Sequence, residues 1–299
     1  MRSTIAAVNE SSPLIISVSR RTDIPAYYSP WFEARLQDGF ADYSHPFTRK
    51  RNRVLLREDS VAGFVFWSKN FQPFVRLSSM VQQRYPCYFH YTITGYGGKL
   101  EPGVPPLPDS LRTFRDLSEL TTPQQMILRY DPIMFSDTLT AQYHRQRYTE
   151  IVRQLEGKSH TSIISFVQVY KKVRSALQQH GIKINVELLL QLDLAAELAE
   201  ISQQHGFELA ACCFPELQFV GVGMAHCISG DFFRKIYPDF QHSTRTAPTR
   251  KGCGCDFCQD IGFYNTCPNG CIYCYANANH NQARTRFQKH KLQGTSLVS

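Results

Sequence analysis

The chain has 299 residues, of which 42% are hydrophobic and 19% are charged, and its formal net charge is +8. No apolar run approaches the roughly 18 residues of a membrane-spanning helix, and a polar Asn-Glu-Ser-Ser-Pro interruption near the start argues against a signal peptide. We therefore expect a cytoplasmic protein without a membrane partner, with enough apolar side chains for one large domain or two small ones.

Six short runs rich in Val, Ile, Phe and Tyr recur along the chain. Several of them are apolar on both faces, as the buried strands of a parallel sheet are. The predicted strands are Leu14–Ser19, Gly63–Trp67, Tyr88–Thr94, Met126–Tyr130, Ser162–Val169 and Phe207–Ala211.

Helical periodicity appears between these runs. Thr138–Leu155 and Leu188–Gln204 place apolar side chains at helical spacing, and a glycine follows each segment closely. Alternating strands and helices predict an α/β fold with a parallel sheet, arranged as an open or closed βα barrel of partial TIM type.

Polar and charged side chains follow the predicted strands. In a βα barrel the C-terminal ends of the strands face one mouth, where ligands bind. A helix cap or a loop salt bridge explains any single one of these residues, but less easily all of them. Asp131, Tyr96 and Lys69 are candidate catalytic residues. The candidates for binding carboxylates of a cofactor or an anionic substrate are Arg20, Arg21, Arg129 and Lys171.

Ten cysteines are present, and six of them lie between Cys253 and Cys274. Such clustering without an export signal indicates metal binding rather than disulfides. The spacing Cys255-x2-Cys258-x12-Cys271-x2-Cys274 is typical of a zinc ribbon. The spacing Cys267-x3-Cys271-x2-Cys274 instead suits three corners of a [4Fe–4S] cluster whose fourth iron is open. Tyr273, within that loop, is an aromatic residue suited to stacking on an adenine.

The segment "CPNGCIYCYAN" (267–277) resembles the CxxxCxxC motif of radical S-adenosylmethionine enzymes, particularly spore photoproduct lyase and the DNA-repair-photolyase-like branch. The resemblance implies a [4Fe–4S] cluster on Cys267, Cys271 and Cys274, with S-adenosylmethionine at the open iron and Tyr273 near its adenine. It implies release of a 5′-deoxyadenosyl radical, with an electron donor such as a flavodoxin or a ferredoxin.

The chain as a whole is similar to an uncharacterised bacterial family, domain of unknown function 1848, over about residues 14–280. The matching segments are "SRRTDIPAYY", "FVFWSKN", "YTITGY", "LRYDPI", "ISFVQVYKK" and "CGCDFCQDIGFYNTCPNGCIYCYAN". The resemblance implies a fold and a cluster but no known substrate.

The cysteine loop comes last in this chain, whereas in radical enzymes it follows the first strand. Circular permutation would account for this, with "IGFYNT" (261–266) as the topological first strand and "LIISVS" as the second. "RTDIPA" also resembles the segment after the second strand of the photolyase-like branch. The resemblance therefore implies that Thr22 and Asp23 lie near the amino-acid end of the cofactor.

The remaining cysteines suggest a second metal site. The family resemblance covers Cys212, Cys227 and Cys255 best, and Cys253 is the predicted fourth ligand of an auxiliary iron–sulfur cluster or a zinc ion. The alternative is that Cys212, Cys213 and Cys227 are buried core residues, as we predict for Cys87.

We therefore predict a βα-barrel segment, residues 1–240, completed by a Cys-rich iron–sulfur segment, residues 241–299, with a basic tail. From residue 241 onward seven Lys or Arg residues accompany two acidic ones, which permits an anionic substrate or nucleic acid, although a solvated basic surface is the simpler explanation. The predicted function is a radical S-adenosylmethionine-type enzyme. The alternatives are a zinc-binding, nucleic-acid-binding protein without catalysis and an iron–sulfur electron carrier.

Overall fold

The computed structural model describes residues 7–9, 12–45, 48 and 50–298. Within them the strands are β1 (Leu14–Val18), β2 (Phe40–Ser44), β3 (Arg51–Leu55), β4 (Val61–Ser68), β5 (Cys87–Thr92), β6 (Met126–Ile133), β7 (Thr161–Phe166), β8 (Glu208–Ala211), β9 (Gly223–Met224) and β10 (Gln259–Asp260). The α-helices are α1 (Ile24–Tyr27), α2 (Ser29–Asp38), α3 (Val75–Arg84), α4 (Leu107–Ser118), α5 (Ala141–Gln154), α6 (Lys171–Gln179), α7 (Leu188–Gln204), α8 (Gly230–Ile236) and α9 (His280–Gln288). Two 3₁₀ helices span Gln72–Phe74 and Pro215–Val220.

Eight strands form one parallel sheet in the order β10-β1-β4-β5-β6-β7-β8-β9. β2 and β3 form a separate antiparallel pair. The predicted α/β fold with a central parallel sheet is therefore confirmed. The edge strands β9 and β10 are not paired with each other in the described residues, so closure into a barrel is not shown. No helix in this part of the chain is long and apolar enough to cross a bilayer.

All six predicted strands are present with small shifts at their ends, and α7 has the predicted bounds. The predicted helix 138–155 begins at Ala141, because the Thr140 side chain caps it by accepting a hydrogen bond from the Tyr143 N–H.

The prediction of a strand at 261–266 is wrong. The strand is β10, two residues earlier, and only the Ile261 N–H continues it, by donating to the Ser17 carbonyl at 3.2 Å. At Gly262 the backbone passes so close to Ser19 that a Cβ atom would overlap its hydroxyl. The chain leaves the sheet there.

The two faces of the sheet are covered differently. Alternate residues along a strand point to opposite faces. Phe64, Phe66 and Leu128 pack in the larger core, which also contains buried side chains of α2, α5 and α7. Their neighbours on the strands, such as Val65 and Ile127, instead pack with apolar residues between 225 and 255. The segment 225–255, with Cys227 and Cys255, thus lies on the face opposite α2, α5 and α7.

Residues beyond 240 also contribute to the larger core. Ile261 and Leu297 are buried in the same cluster as Ile16. In α9, Phe287 makes edge contacts with Tyr27 and Tyr28 at 5.4 Å between ring centroids. The basic segment at the C-terminal end is therefore partly folded against α1 and α2.

His144 is fully buried, and both of its ring nitrogens are bonded. Nε2 lies 2.8 Å from the Met134 carbonyl oxygen, and Nδ1 lies 2.8 Å from the Tyr130 hydroxyl. Because a carbonyl only accepts, Nε2 carries the proton and Nδ1 accepts from Tyr130. Burial lowers the pKa of His144 from 6.5 to about 4, so the folded protein keeps this ring neutral.

We predict that His144 makes stability depend on pH between its unfolded and folded pKa values. As pH falls from 6.5 to about 4, the unfolded chain takes up a proton that the folded chain does not, so stability is lost. The full loss is roughly 3 kcal/mol, at about 1.4 kcal/mol per pKa unit. Urea unfolding at about pH 7 and pH 4.5 measures it. His144→Gln, which does not titrate, should lose less stability over this interval, and equal losses in both proteins would contradict the assignment.

Candidate metal centre

Residues 261–278 form the motif loop, which follows β10 and is closed by its own hydrogen bonds. The Asn265 N–H donates to the Ala276 carbonyl at 3.1 Å, and the Ala278 N–H donates to the Asn265 side-chain oxygen at 2.6 Å. The Asn277 amide donates to the Cys267 carbonyl at 2.6 Å. These bonds hold the first and last parts of the loop together, so the three motif cysteines lie close in space.

The three motif thiols are buried or partly buried. Cys267 and Cys271 are buried, and Cys274 is partly exposed. Burial raises the pKa of all three thiols, and the other thiols of the motif contribute to the shifts of Cys267 and Cys271. In the part of the chain that the structure describes, no three His, Cys, Asp or Glu side chains are arranged to hold a single metal ion.

Asp23 connects the end of β1 to the motif loop. Its buried carboxylate accepts hydrogen bonds from Ser68 Oγ at 2.6 Å, the Lys69 N–H at 3.0 Å and Asn269 Nδ2 at 3.1 Å. Burial raises the pKa of Asp23 in spite of these bonds. The Asp23 backbone also lies beside the Cys267 thiol. The predicted cofactor-binding segment therefore contacts the motif loop directly.

Two polar atoms next to Asp23 lack partners. The Thr22 hydroxyl and Arg21 Nη1 are buried without a hydrogen-bond partner among the described residues. The Arg21 guanidinium lies 5.6 Å from the ring centroid of Tyr264. A buried polar atom costs free energy unless it is bonded, so both atoms are suited to bind a ligand.

Lys69 and Tyr273 meet at a buried carboxylate that sequence analysis missed. Glu101 is 1% exposed and accepts from Lys69 Nζ at 2.8 Å, from Thr94 Oγ1 at 2.8 Å and from the Tyr273 hydroxyl. Burial alone would lower the pKa of Lys69, but Glu101 and Cys271 raise it. Lys69 therefore stays charged beside the motif loop.

Tyr273 is 7% exposed and packs among apolar side chains. The exposed aromatic rings of the motif loop are those of Tyr264 and Tyr275, which sequence analysis did not single out. A role for Tyr273 at an adenine stays a prediction.

Tyr96 and Asp131 are both engaged in internal bonds. The Tyr96 hydroxyl donates to the Pro132 carbonyl at 2.8 Å and accepts from the Met134 N–H at 3.2 Å. Asp131 pairs with Arg129 at 2.6 Å and accepts from Ser165. Their proposed catalytic roles are not tested by this arrangement.

Arg20 and Arg129 point their guanidinium groups at cysteines. Arg20 Nη2 lies 3.1 Å from Cys258 Sγ, and Arg129 Nη1 lies 3.2 Å from Cys227 Sγ. Neither contact was foreseen from the sequence, which suggested carboxylate binding.

An open cavity of about 680 Å³ lies beside the motif loop. Lys171 lines it, as do residues that sequence analysis did not select. The lining residues are Tyr170, Lys171, Lys172, Ser175, Tyr264 and Tyr275. Lys172 also donates a hydrogen bond to the Tyr275 carbonyl. The cavity combines cationic and aromatic side chains next to Cys274.

Five other cysteines form a second thiol group, comprising Cys212, Cys213, Cys227, Cys253 and Cys255. Cys212 Sγ lies 3.6 Å from both Cys213 Sγ and Cys227 Sγ. The thiol of Cys255 lies beside those of Cys227 and Cys253, and the thiol of Cys253 lies beside that of Cys213. All four residues predicted for the second metal site are therefore neighbours. Cys87 is fully buried in the core, as predicted.

No curated protein matches the chain. One family, described as a domain of unknown function (DUF1848), has a sequence model that matches residues 15–276. Since this match covers most of the chain, the protein belongs to the DUF1848 family.

Proposed function

We propose that the protein is a radical S-adenosylmethionine-type enzyme in which Cys267, Cys271 and Cys274 bind three corners of a [4Fe–4S] cluster. The observation that carries the proposal is that one closed loop groups three largely buried thiols against the ends of parallel strands. Thiolates select soft metals and iron–sulfur clusters.

The donor set fits a cluster better than a zinc ribbon. A ribbon would join Cys255 and Cys258 to Cys271 and Cys274. Cys258 instead lies against Arg20, and Cys255 lies beside cysteines of the second thiol group.

The order of the strands supports a permuted partial barrel. β10 leads into the motif loop and pairs in parallel with β1, which leads into Thr22 and Asp23. The motif loop then follows the topological first strand and the segment 20–23 follows the second. We place the cofactor near Thr22 and Arg21, whose buried polar atoms lack partners among the described residues.

When bound and reduced, the cluster would supply the electron that cleaves S-adenosylmethionine to a 5′-deoxyadenosyl radical. The chain's own residues hold the cofactor-binding segment in place and line the cavity proposed for the substrate. Asp23 ties the cofactor-binding segment to the motif loop through Asn269. The cavity beside Cys274, with Tyr264, Tyr275 and Lys171, suits an anionic substrate that contains a flat ring, such as a nucleotide or nucleic acid. A flavodoxin or a ferredoxin is the proposed electron donor.

The test is anaerobic purification followed by iron, sulfide and zinc analysis and an assay for 5′-deoxyadenosine with a chemical reductant. We expect iron matched by sulfide, and cleavage of S-adenosylmethionine. Cys271→Ala should lose about four iron atoms per chain together with the cleavage activity. Cys87→Ala removes a buried thiol that lies outside the motif loop and the second thiol group. This variant should keep both its iron and the cleavage activity.

Two results would overturn the proposal. A Cys271→Ala variant that keeps its iron and sulfide would remove the cluster from this loop. A cluster that depends on Cys271 but never yields 5′-deoxyadenosine would favour an electron carrier instead.

A further inference from the structure

The second thiol group is assembled from three separate segments of the chain. Cys212 follows β8, Cys227 follows β9, and Cys253 and Cys255 precede β10. In contact order the thiols run from Cys212 to Cys227, then Cys255, then Cys253. Only Cys253 and Cys255 are close in sequence, so local chain geometry alone does not explain the cluster.

Two cationic side chains donate hydrogen bonds to this group. Arg129 Nη1 lies 3.2 Å from Cys227 Sγ, and Arg250 Nη2 lies 3.4 Å from Cys212 Sγ. Arg129 is 4% exposed. A guanidinium keeps its proton in proteins, so positive charge is held against sulfur atoms that are only weak acceptors as thiols. Thiolates bound to a cation would complement both arginines.

We propose that Cys212, Cys227, Cys253 and Cys255 bind a single tetrahedral metal ion, zinc or iron, as a four-thiolate centre. With metal–sulfur bonds of about 2.3 Å, neighbouring sulfurs of a tetrahedron stand about 3.8 Å apart. The observed separation of 3.6 Å between Cys212 Sγ and Cys227 Sγ is close to this value. In a cube of four irons each thiolate binds a separate iron from outside, so the protein sulfurs stand farther apart than this.

The ion itself would complete the arrangement. In the described residues no three ligands yet surround one point, so binding would turn the thiols inward and release their protons. Four protein thiolates leave no open position, which is typical of a structural site rather than a catalytic one. The centre would fasten residues 212–255 across the face of the sheet that carries Val65 and Ile127.

Cys213 is the fifth thiol of the second thiol group and is not one of the proposed ligands. Its backbone has φ of +57°, an uncommon value for a residue other than glycine. Its sulfur lies 3.6 Å from that of Cys212, the residue directly before it, so this contact follows from adjacency in the chain. Cys213 therefore provides a matched control for its neighbours.

The proposal does not depend on the motif loop, and the test separates the two. The Cys271→Ala chain should retain about one zinc or iron ion without sulfide. Adding Cys227→Ser should lower metal occupancy at least tenfold, whereas adding Cys213→Ser should leave it unchanged. When cobalt replaces the bound metal, the chain that carries both Cys271→Ala and Cys213→Ser should show the visible absorption of a tetrahedral thiolate site.

A measurement without substitutions in the second thiol group guards against misfolding. In the metal-loaded Cys271→Ala chain, alkylation followed by mass spectrometry should label Cys213 and spare the four proposed ligands. Addition of a strong chelator should expose all five. The proposal would be overturned if a folded Cys271→Ala chain held no metal, or held several irons together with sulfide. It would also be overturned if Cys213 were protected from alkylation as well as the four proposed ligands are.

Discussion

Replacement of Glu101 by Gln should lower the free energy of unfolding by roughly 3 to 5 kcal/mol. The substitution keeps the size of the side chain but removes the only negative charge that pairs with Lys69 in the described residues, at 2.8 Å. Glu101 is 1% exposed, and the side chain of Lys69 is 14% exposed. An ammonium group left in this position has lost its counter-charge without gaining water.

A double-mutant cycle isolates this effect. Lys69→Met removes the ammonium, so the Glu101→Gln and Lys69→Met double variant should be more stable than the sum of the single losses predicts. Urea unfolding at neutral pH supplies the four free energies. Strict additivity would mean that the two side chains do not stabilise one another.

The same substitution should also affect the motif loop. Glu101 accepts a hydrogen bond from Tyr273, between two of the motif cysteines, so its loss removes one attachment of the loop. Iron content of the Glu101→Gln chain should therefore fall more than that of Arg84→Gln, which breaks the exposed pair with Glu58. Equal iron content in the two variants would mean that the buried Lys69–Glu101 pair does not affect metal binding.

Asp260→Ala should be as destabilising as loss of the Glu101 charge. The buried carboxylate accepts from Ser17 Oγ at 2.9 Å, Ser19 Oγ at 2.7 Å, and the N–H groups of Arg20 and Gly262 at 2.8 Å. A buried donor that loses its acceptor costs about 1 to 3 kcal/mol, so we expect a total loss of about 4 kcal/mol or more.

Hydrogen exchange should locate the damage of Asp260→Ala. Faster exchange is expected in residues 259–278 and at the end of β1, with the centre of the sheet unchanged at first. Asp256→Ala is the matched control, because among the described residues its carboxylate accepts a backbone hydrogen bond only from Gly230, at 2.7 Å. Its cost should be about 1 kcal/mol. Similar losses in both variants would show that Asp260 does not fasten this edge.

The parts of the fold that were predicted correctly have strong local signals. An apolar run such as Ser162–Val169 identifies a buried strand regardless of its partners, and the cysteine spacing identifies the motif loop. β3 was missed because "RNRVL" is largely polar; its Arg53 pairs with Asp42 across the hairpin at 2.8 Å. β10 was predicted two residues too late because two residues carry no periodicity, and its hydrogen bonds reach residues far away in the chain.

Side-chain direction was the harder part of the site. The position of Arg129 in a strand was evident, but the identity of its neighbours depends on segments that cross the sheet much later in the chain. Cys227 is one of these, and its sulfur occupies the place where a ligand carboxylate was expected. Glu101 was overlooked because a single acid in a proline-rich loop has no pattern that marks it as buried.

The pairing of β1 with β10 has a consequence for the order of assembly. Ser17 and Asp260 are 243 positions apart. During synthesis β1 emerges long before its outer partner, so one of its edges has no native neighbour while the rest of the sheet forms. An unpaired strand edge is a template for association with other chains. Pairing of β10, and with it placement of the motif loop, is then the last step of sheet formation, and conditions that delay it should favour aggregation over folding.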